Sequence, residues 1–204
     1  MKNFLAVDTS QNFMCVVACK DGKTYSSFTP DCAMKHSVFL MQKVDEALDA
    51  LSLSVNECDF FSAVVGAGSF TGIRIGISAV KGFCLACGKP ALPVTSFDVM
   101  AYNAIDENKI LCLIDALHGF YYACGYENGR VVYAPAYIDE SEVLRLQAQG
   151  YALYSFGELG VPTKKVCPET GLKNAVSALA KKGAFGELDA LYVRKSSAEI
   201  NAGR

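Results

Sequence analysis

Gly66-Ala67-Gly68-Ser69-Phe70-Thr71-Gly72-Ile73-Arg74-Ile75-Gly76 follows the apolar run Phe60 to Val65 and reads as strand, turn and helix start. Gly66 and Gly68 permit positive φ or the close approach of another group, and Ser69 or Thr71 can cap the first unpaired amides of the helix. Two uses of such a turn stay open. Its amides and the positive end of the helix dipole can receive an anion or phosphate, or its glycines serve tight packing of helix on strand. Neither common nucleotide fingerprint fits, because Gly68 to Gly72 lacks the Lys-Ser/Thr ending of a P-loop and the dinucleotide pattern spaces its first glycines differently.

Upstream, Asn3 to Val7, Phe13 to Cys19 and Thr24 to Thr29 read as three short strands, with Asp21-Gly22 as a hairpin turn. The first connection, Asp8-Thr9-Ser10-Gln11, offers a carboxylate and two hydroxyls that either face a phosphate or metal or simply make the turn. From Met34 to Leu51 apolar residues recur with helical period, and the apolar face centres near Val44 and Leu48. Phe39 falls opposite, among Lys35, Gln42, Lys43 and Glu46, as a candidate protein contact. The helix Phe70 to Gly88 is apolar on nearly all sides and rich in small residues. Thr71, Arg74, Ser78 and Lys81 share one polar stripe on it, suited to phosphate, to acidic partner groups or to water.

Downstream, Ala91 to Val94 is a strand and Ser96 caps a helix toward Ile105. Lys109 to Asp115, Phe120 to Tyr126 and Arg130 to Tyr133 form a second meander with Asn128-Gly129 as its turn. Asp115-Ala116-Leu117-His118-Gly119 repeats the pattern of the first turn, an apolar strand ending in Asp, which points to two lobes of related topology. Ser141 to Gln149 and Gly171 to Lys182 read as helices around a strand Tyr151 to Phe156, and Leu191 to Arg194 as a short last element.

The chain has 204 residues, 51% of them hydrophobic, enough for one core or two small lobes. A net charge of -2 supplies no field for nucleic acid, so tRNA contact is expected only indirectly, through a partner. An odd number of cysteines, nine, without a charged-then-apolar leader at the start, predicts reduced thiols in a cytoplasmic protein. Most lie in apolar runs as small core hydrophobes. Cys84-Leu85-Ala86-Cys87 has C-x-x-C spacing, but no second pair follows at zinc-ligand distance. Lys81 and Lys89 interrupt the longest apolar stretch, so no membrane span is expected.

Two histidines limit the chemistry. Leu40 stands where a second histidine would complete a helix-borne metal pair with His36, and no G-x-S-x-G elbow accompanies His118. Asp8 and Asp115 could pair across a cleft to handle magnesium and phosphate, yet no late glycine-rich motif is present to hold an adenosine.

Phe4-Leu5-Ala6-Val7-Asp8-Thr9-Ser10, the run Gly66 to Gly76, Ile114-Asp115-Ala116 and Leu191-Tyr192-Val193-Arg194 together resemble the bacterial TsaB family of tRNA threonylcarbamoyladenosine synthesis, over nearly the whole chain. The resemblance implies an α/β, two-lobed actin-like or sugar-kinase-like fold, each lobe a mixed sheet with flanking helices. It divides the chain into a first lobe, 1–99, and a shorter second lobe, 100–204, whose tail 191–204 packs back on the first. It further implies a non-catalytic subunit that binds TsaD as a heterodimer, with TsaE joining the pair, for threonylcarbamoylation of the adenosine beside the anticodon. The implied partner surface is the helices 34–51 and 70–88, with Phe39, Lys43, Thr71, Arg74, Ser78 and Lys81 as contacts, and the free protein can form a homodimer through it. Asp8, Thr9, Ser10, Gly66, Gly68, Ser69 and Asp115 are the residues nearest any nucleotide. No metal or cofactor is expected for the isolated chain; ATP or ADP with magnesium enters only in the complex. Two positions depart from the family pattern: Ala67 replaces a usual proline and Leu117 a frequent arginine. The competing readings are a glycoprotease-like metallopeptidase and a stand-alone phosphotransferase using Asp8 and Asp115.

Overall fold

Strands β1 (Phe4–Asp8) and β2 (Met14–Lys20) are buried almost throughout, as their unbroken apolar sequence requires of strands covered on both faces. With β3 (Lys23–Thr29), β4 (Phe60–Val64) and β5 (Ala91–Val94) they form a sheet in the order β3-β2-β1-β4-β5, in a computed structural model that describes residues 2–104 and 106–194. The first three strands are antiparallel neighbours, and β1, β4 and β5 run parallel. Side chains alternate between the faces. Leu5, Val7, Val16, Phe61 and Ala63 meet helices α1 (His36–Ala50) and α2 (Phe70–Cys87). Phe4, Ala6, Val17, Phe60 and Val64 meet Leu172, Ala175 and Val176 of α5 (Pro168–Lys181) on the other side.

The second sheet contains β6 (Lys109–Asp115), β7 (Phe120–Glu127), β8 (Arg130–Asp139), β9 (Ala152–Ser155) and β10 (Lys164–Lys165), in the order β10-β9-β6-β7-β8. An antiparallel meander followed by two parallel neighbours repeats the plan of the first sheet. The echo between the Asp8 and Asp115 turns is therefore topological. Helix α4 (Glu140–Ala148) covers one face through Val143 and Leu146. Helix α3 (Ser96–Ala101) covers the other through Phe97 and Met100, where Ala67, Leu191 and Val193 join the same cluster. The result is a two-lobed α/β fold with two mixed sheets and flanking helices.

Several local readings need correction. Thr95, not Ser96, caps α3: its hydroxyl accepts from Asp98 N at 3.0 Å and its amide donates to Asp98 Oδ2 at 2.9 Å. The helix ends at Ala101, and Ile105 lies outside the described residues. β8 runs on to Asp139 rather than stopping at Tyr133, because an edge strand tolerates Pro135. β10 went unpredicted, and Leu191 to Arg194 form no regular element. A division at residue 99 separates the sheets but not the layers, since α5 lies on the first sheet. Leu191 also returns to the first lobe, donating from its amide to Val65 O at 2.7 Å; tail residues 195–204 lie outside the described residues. Contrary to the expectation drawn from Lys81 and Lys89, α2 is long and apolar enough by composition to cross a bilayer, with a mean hydropathy of 1.4. Lys89 falls beyond its end, and Ile73, Ile77 and Val80 pack it onto the sheet.

Candidate functional site

The glycine-rich turn packs against the first turn of the sheet. Ser69 N donates to Ser10 O at 2.7 Å, Ser69 Oγ accepts from Gly72 N at 3.2 Å, and Thr9 Oγ1 donates to Gly72 O at 2.7 Å. A Cβ on Gly68, whose φ is +152°, would stand 2.1 Å from Ser10 O; one on Gly72 would stand 2.0 Å from Thr9 O. The Ser69 and Gly72 amides thus meet the chain's own carbonyl and hydroxyl, while Ser69, Thr71 and Gly72 also line a cavity of about 300 Å³ with Gln11, Asn12 and His36. Gly68 and Gly72 serve close packing of α2 on the first turn.

Asp8, Thr9 and Ser10 are 0%, 1% and 0% exposed. Asp8 Oδ1 accepts from Ser10 N at 2.8 Å and Ser10 Oγ at 2.7 Å, while Oδ2 has no partner. Ser10 Oγ lies 3.0 Å from Ser96 Oγ, which in turn donates to Ala67 O at 2.6 Å; Ser96 N donates to Gly66 O. The network ties the first turn, the glycine turn and α3 together. Burial pushes the Asp8 carboxyl above the ordinary aspartate range, and the hydrogen bonds from Ser10 and the nearby His36 offset this only in part. Ionising Asp8 therefore costs more in the fold than in the unfolded chain. Its contribution to stability is greatest below about pH 4 and is lost as pH rises through the raised value. Asp8→Asn is expected to remove that loss, so its melting temperature should gain on the native chain as pH is raised from 4 toward 7. A constant offset across that range would show that Asp8 does not titrate as described.

Asp115 is exposed and its Oδ1 accepts from Leu117 N at 2.8 Å. It lines a cavity of about 320 Å³ between the lobes with Gln11, Asn12, Phe13, Phe156 and Glu158. Asp8 is not among the lining residues, so the two aspartates do not share this cleft. His36 is buried with Nε2 3.0 Å from Phe13 O, a structural placement. Among the described residues, no group of three or more His, Cys, Asp or Glu could hold a metal ion. Cys84 and Cys87 are half-buried on α2, and burial followed by the neighbouring Cys87 raises the Cys84 thiol, which disfavours the reactive thiolate.

The outer faces of α1 and α2 are uncovered. Thr71, Arg74, Ser78 and Lys81 form the anticipated exposed stripe on α2. On α1, Phe39 is half-buried against the core rather than opposite it, and Lys43 pairs with Glu46 at 2.6 Å. The buried face is His36, Leu40, Val44, Ala47 and Leu48. Met34, Val38 and Met41 are 96%, 68% and 48% exposed, and Leu85 on α2 is 88% exposed. The signal was present as an apolar stripe wider than one buried face needs. Val38 and Met41 lie on α1, Met34 just before it, and Leu85 near the end of α2.

The chain is thus a duplicated two-lobed α/β body with a protein-filled first turn and an uncovered helical face. Residues 23–198 match the family model of TsaD, tRNA N6-adenosine threonylcarbamoyltransferase, and the chain belongs to that family. The Escherichia coli tRNA threonylcarbamoyladenosine biosynthesis protein TsaB is 31% identical over 131 residues, covering 61% of this chain and 56% of that protein. The match thus spans about half the length of such curated relatives. Two solved Pseudomonas aeruginosa structures share the fold. One, an uncharacterized protein described as similar to the peptidase YeaZ, aligns with a TM-score of 0.80 at 23% identity over 95% of this chain and 100% of its own. The other, YeaZ, aligns at 0.75 and 21% identity over 94% and 100%.

Proposed function

We propose that this chain is a non-catalytic subunit of the machinery that makes threonylcarbamoyladenosine in tRNA. It holds and supports TsaD through α1 and α2, with TsaE joining the pair, and TsaD modifies the adenosine beside the anticodon in tRNAs that read ANN codons. The subunit works in the cytoplasm and meets tRNA through its partner. It needs no cofactor by itself, ATP or ADP with magnesium belonging to the assembled complex, and alone it pairs with a second copy through the same helices.

The observation that carries this reading is the burial of Asp8, Thr9 and Ser10 at 1% exposure or less. Where a kinase-like body would open its first turn to phosphate, this turn is packed under α2. A stand-alone phosphotransferase built on Asp8 and Asp115 would need both carboxylates in one cleft, and they are not. The family membership and the uncovered helical face supply the positive side of the argument.

Purified chain mixed with TsaD from the same organism is expected to co-elute from gel filtration, and calorimetric titration of the isolated chain with ATP and magnesium to give no heat of binding. Separate elution across nucleotide and magnesium conditions would refute the partnership. Micromolar ATP binding with turnover would make the chain an enzyme.

A further inference from the structure

Tyr192 brings an aromatic ring from the far end of the described chain to the start of α2. Along Leu191 to Arg194 the side chains alternate between half-buried and exposed. Leu191 and Val193 enter the cluster between the lobes. Tyr192 stacks on Phe70 with ring centroids 4.6 Å apart and planes 25° apart. Arg194 reaches the second lobe, its guanidinium 5.0 Å from the Tyr137 ring centroid and Nη1 donating to Tyr137 Oη at 3.3 Å. The Leu191 amide pins the segment to Val65 O at 2.7 Å.

Arg74 closes this arrangement. Its guanidinium carbon sits 3.8 Å from the Phe70 ring centroid, and Nε donates to Tyr192 Oη at 3.0 Å. Nε is thereby occupied and the plane is fixed over an aromatic ring, while the terminal nitrogens carry four further N–H donors. No salt bridge involves Arg74 among the described residues, nor Lys81 one turn pair along the stripe. α2 itself contains no Asp or Glu. An exposed guanidinium, ordered by stacking and left without a carboxylate, is the arrangement of an interface anchor.

We propose that Tyr192 is a positioning residue that presents Arg74 to a carboxylate on the protein docking against α2. The proposal rests on the reading of this face as the TsaD surface, and it adds the chemistry of the partner group and a contribution from the C-terminal segment. Tyr192 Oη fixes the guanidinium rotation, so the partner Asp or Glu meets a preset fork instead of ordering a free side chain.

Affinity for TsaD is measured for the native chain, Tyr192→Phe, Arg74→Ala, Arg74→Lys and the Tyr192→Phe/Arg74→Ala pair, each with a thermal melt. Tyr192→Phe keeps the stacked ring and is expected to weaken binding about 3- to 10-fold with little change in melting temperature. Arg74→Ala should weaken it about 10- to 100-fold, and Arg74→Lys should recover only a small part because an ammonium lacks the planar fork. Tyr192→Phe should then be silent in the Arg74→Ala background. Additive effects in the double variant, an unchanged affinity for Tyr192→Phe, or full recovery by Arg74→Lys would overturn the proposal while the TsaD partnership stands. No complex with the native chain would instead remove the partnership, and this inference with it.

Discussion

Gly72→Ala is expected to destabilise the isolated chain by about 3 kcal/mol or more, at the upper end of what overpacking produces. In an ordinary helix the same change would help by up to about 1 kcal/mol, because alanine loses less backbone entropy than glycine. Here the new methyl would lie 2.0 Å from Thr9 O, a backbone atom that cannot rotate away. Relief requires α2 to lift from the first turn, which would break the Ser69 N to Ser10 O and Thr9 Oγ1 to Gly72 O hydrogen bonds together. Gly82 supplies the control on the same helix. A Cβ there meets nothing within 4 Å, so Gly82→Ala should raise stability by up to about 1 kcal/mol. Urea unfolding of the three proteins tests the contrast. If Gly72→Ala unfolds at the native midpoint, the close approach of α2 to the first turn is wrong.

The central strands were legible because they satisfy local rules. β1 and β4 are apolar runs of strand length, and Asp21-Gly22 adopts positive φ at both residues, 50° and 83°, as a two-residue hairpin of this type demands. α2 was legible from its cap: Ser69 accepts from Gly72 N, and Gly88 ends the helix with φ 63°. What the sequence left undecided depends on distant partners. Asp8, Thr9 and Ser10 are equally good turn residues whether open or buried, and only the arrival of Ser69 and Ser96 from elsewhere in the chain decides it. The layer occupied by α5 is invisible locally, since the amphipathic face of Leu172, Ala175 and Val176 would fit either sheet. Arg74 was placed correctly on an exposed stripe, but its ordering by Tyr192 joins positions 118 residues apart in the chain.

On α1 the centre of the apolar face near Val44 and Leu48 was legible, and its width was not. Met34, Val38 and Met41 fit a helical period beside the true core positions, and periodicity alone cannot say which of two adjacent apolar stripes faces inward. Phe39, expected opposite that face, is instead partly packed against the first-sheet core. The sheet accepts Leu40, Val44, Ala47 and Leu48, which leaves Val38 and Met41 exposed.

Under the proposed contact with TsaD through α1, Val38→Asp has two effects of opposite sign. In the free chain Val38 is 68% exposed, so little packing is lost. It is also the third residue of α1, whose first turn contains no acidic side chain. A carboxylate there complements the helix dipole and should raise stability by about 0.3–1 kcal/mol. In the complex the same carboxylate would be carried into an apolar contact with no partner to neutralise it, at a cost of several kcal/mol. Binding to TsaD, and pairing of the chain with itself, should therefore weaken by about 100-fold or more, while the melting temperature of the isolated chain stays level or rises. A fall in both quantities would mean that Val38 supports the fold after all. Unchanged affinity would move the contact off α1 and leave the α2 stripe to carry it alone, because a charge cannot enter a dry interface without being felt.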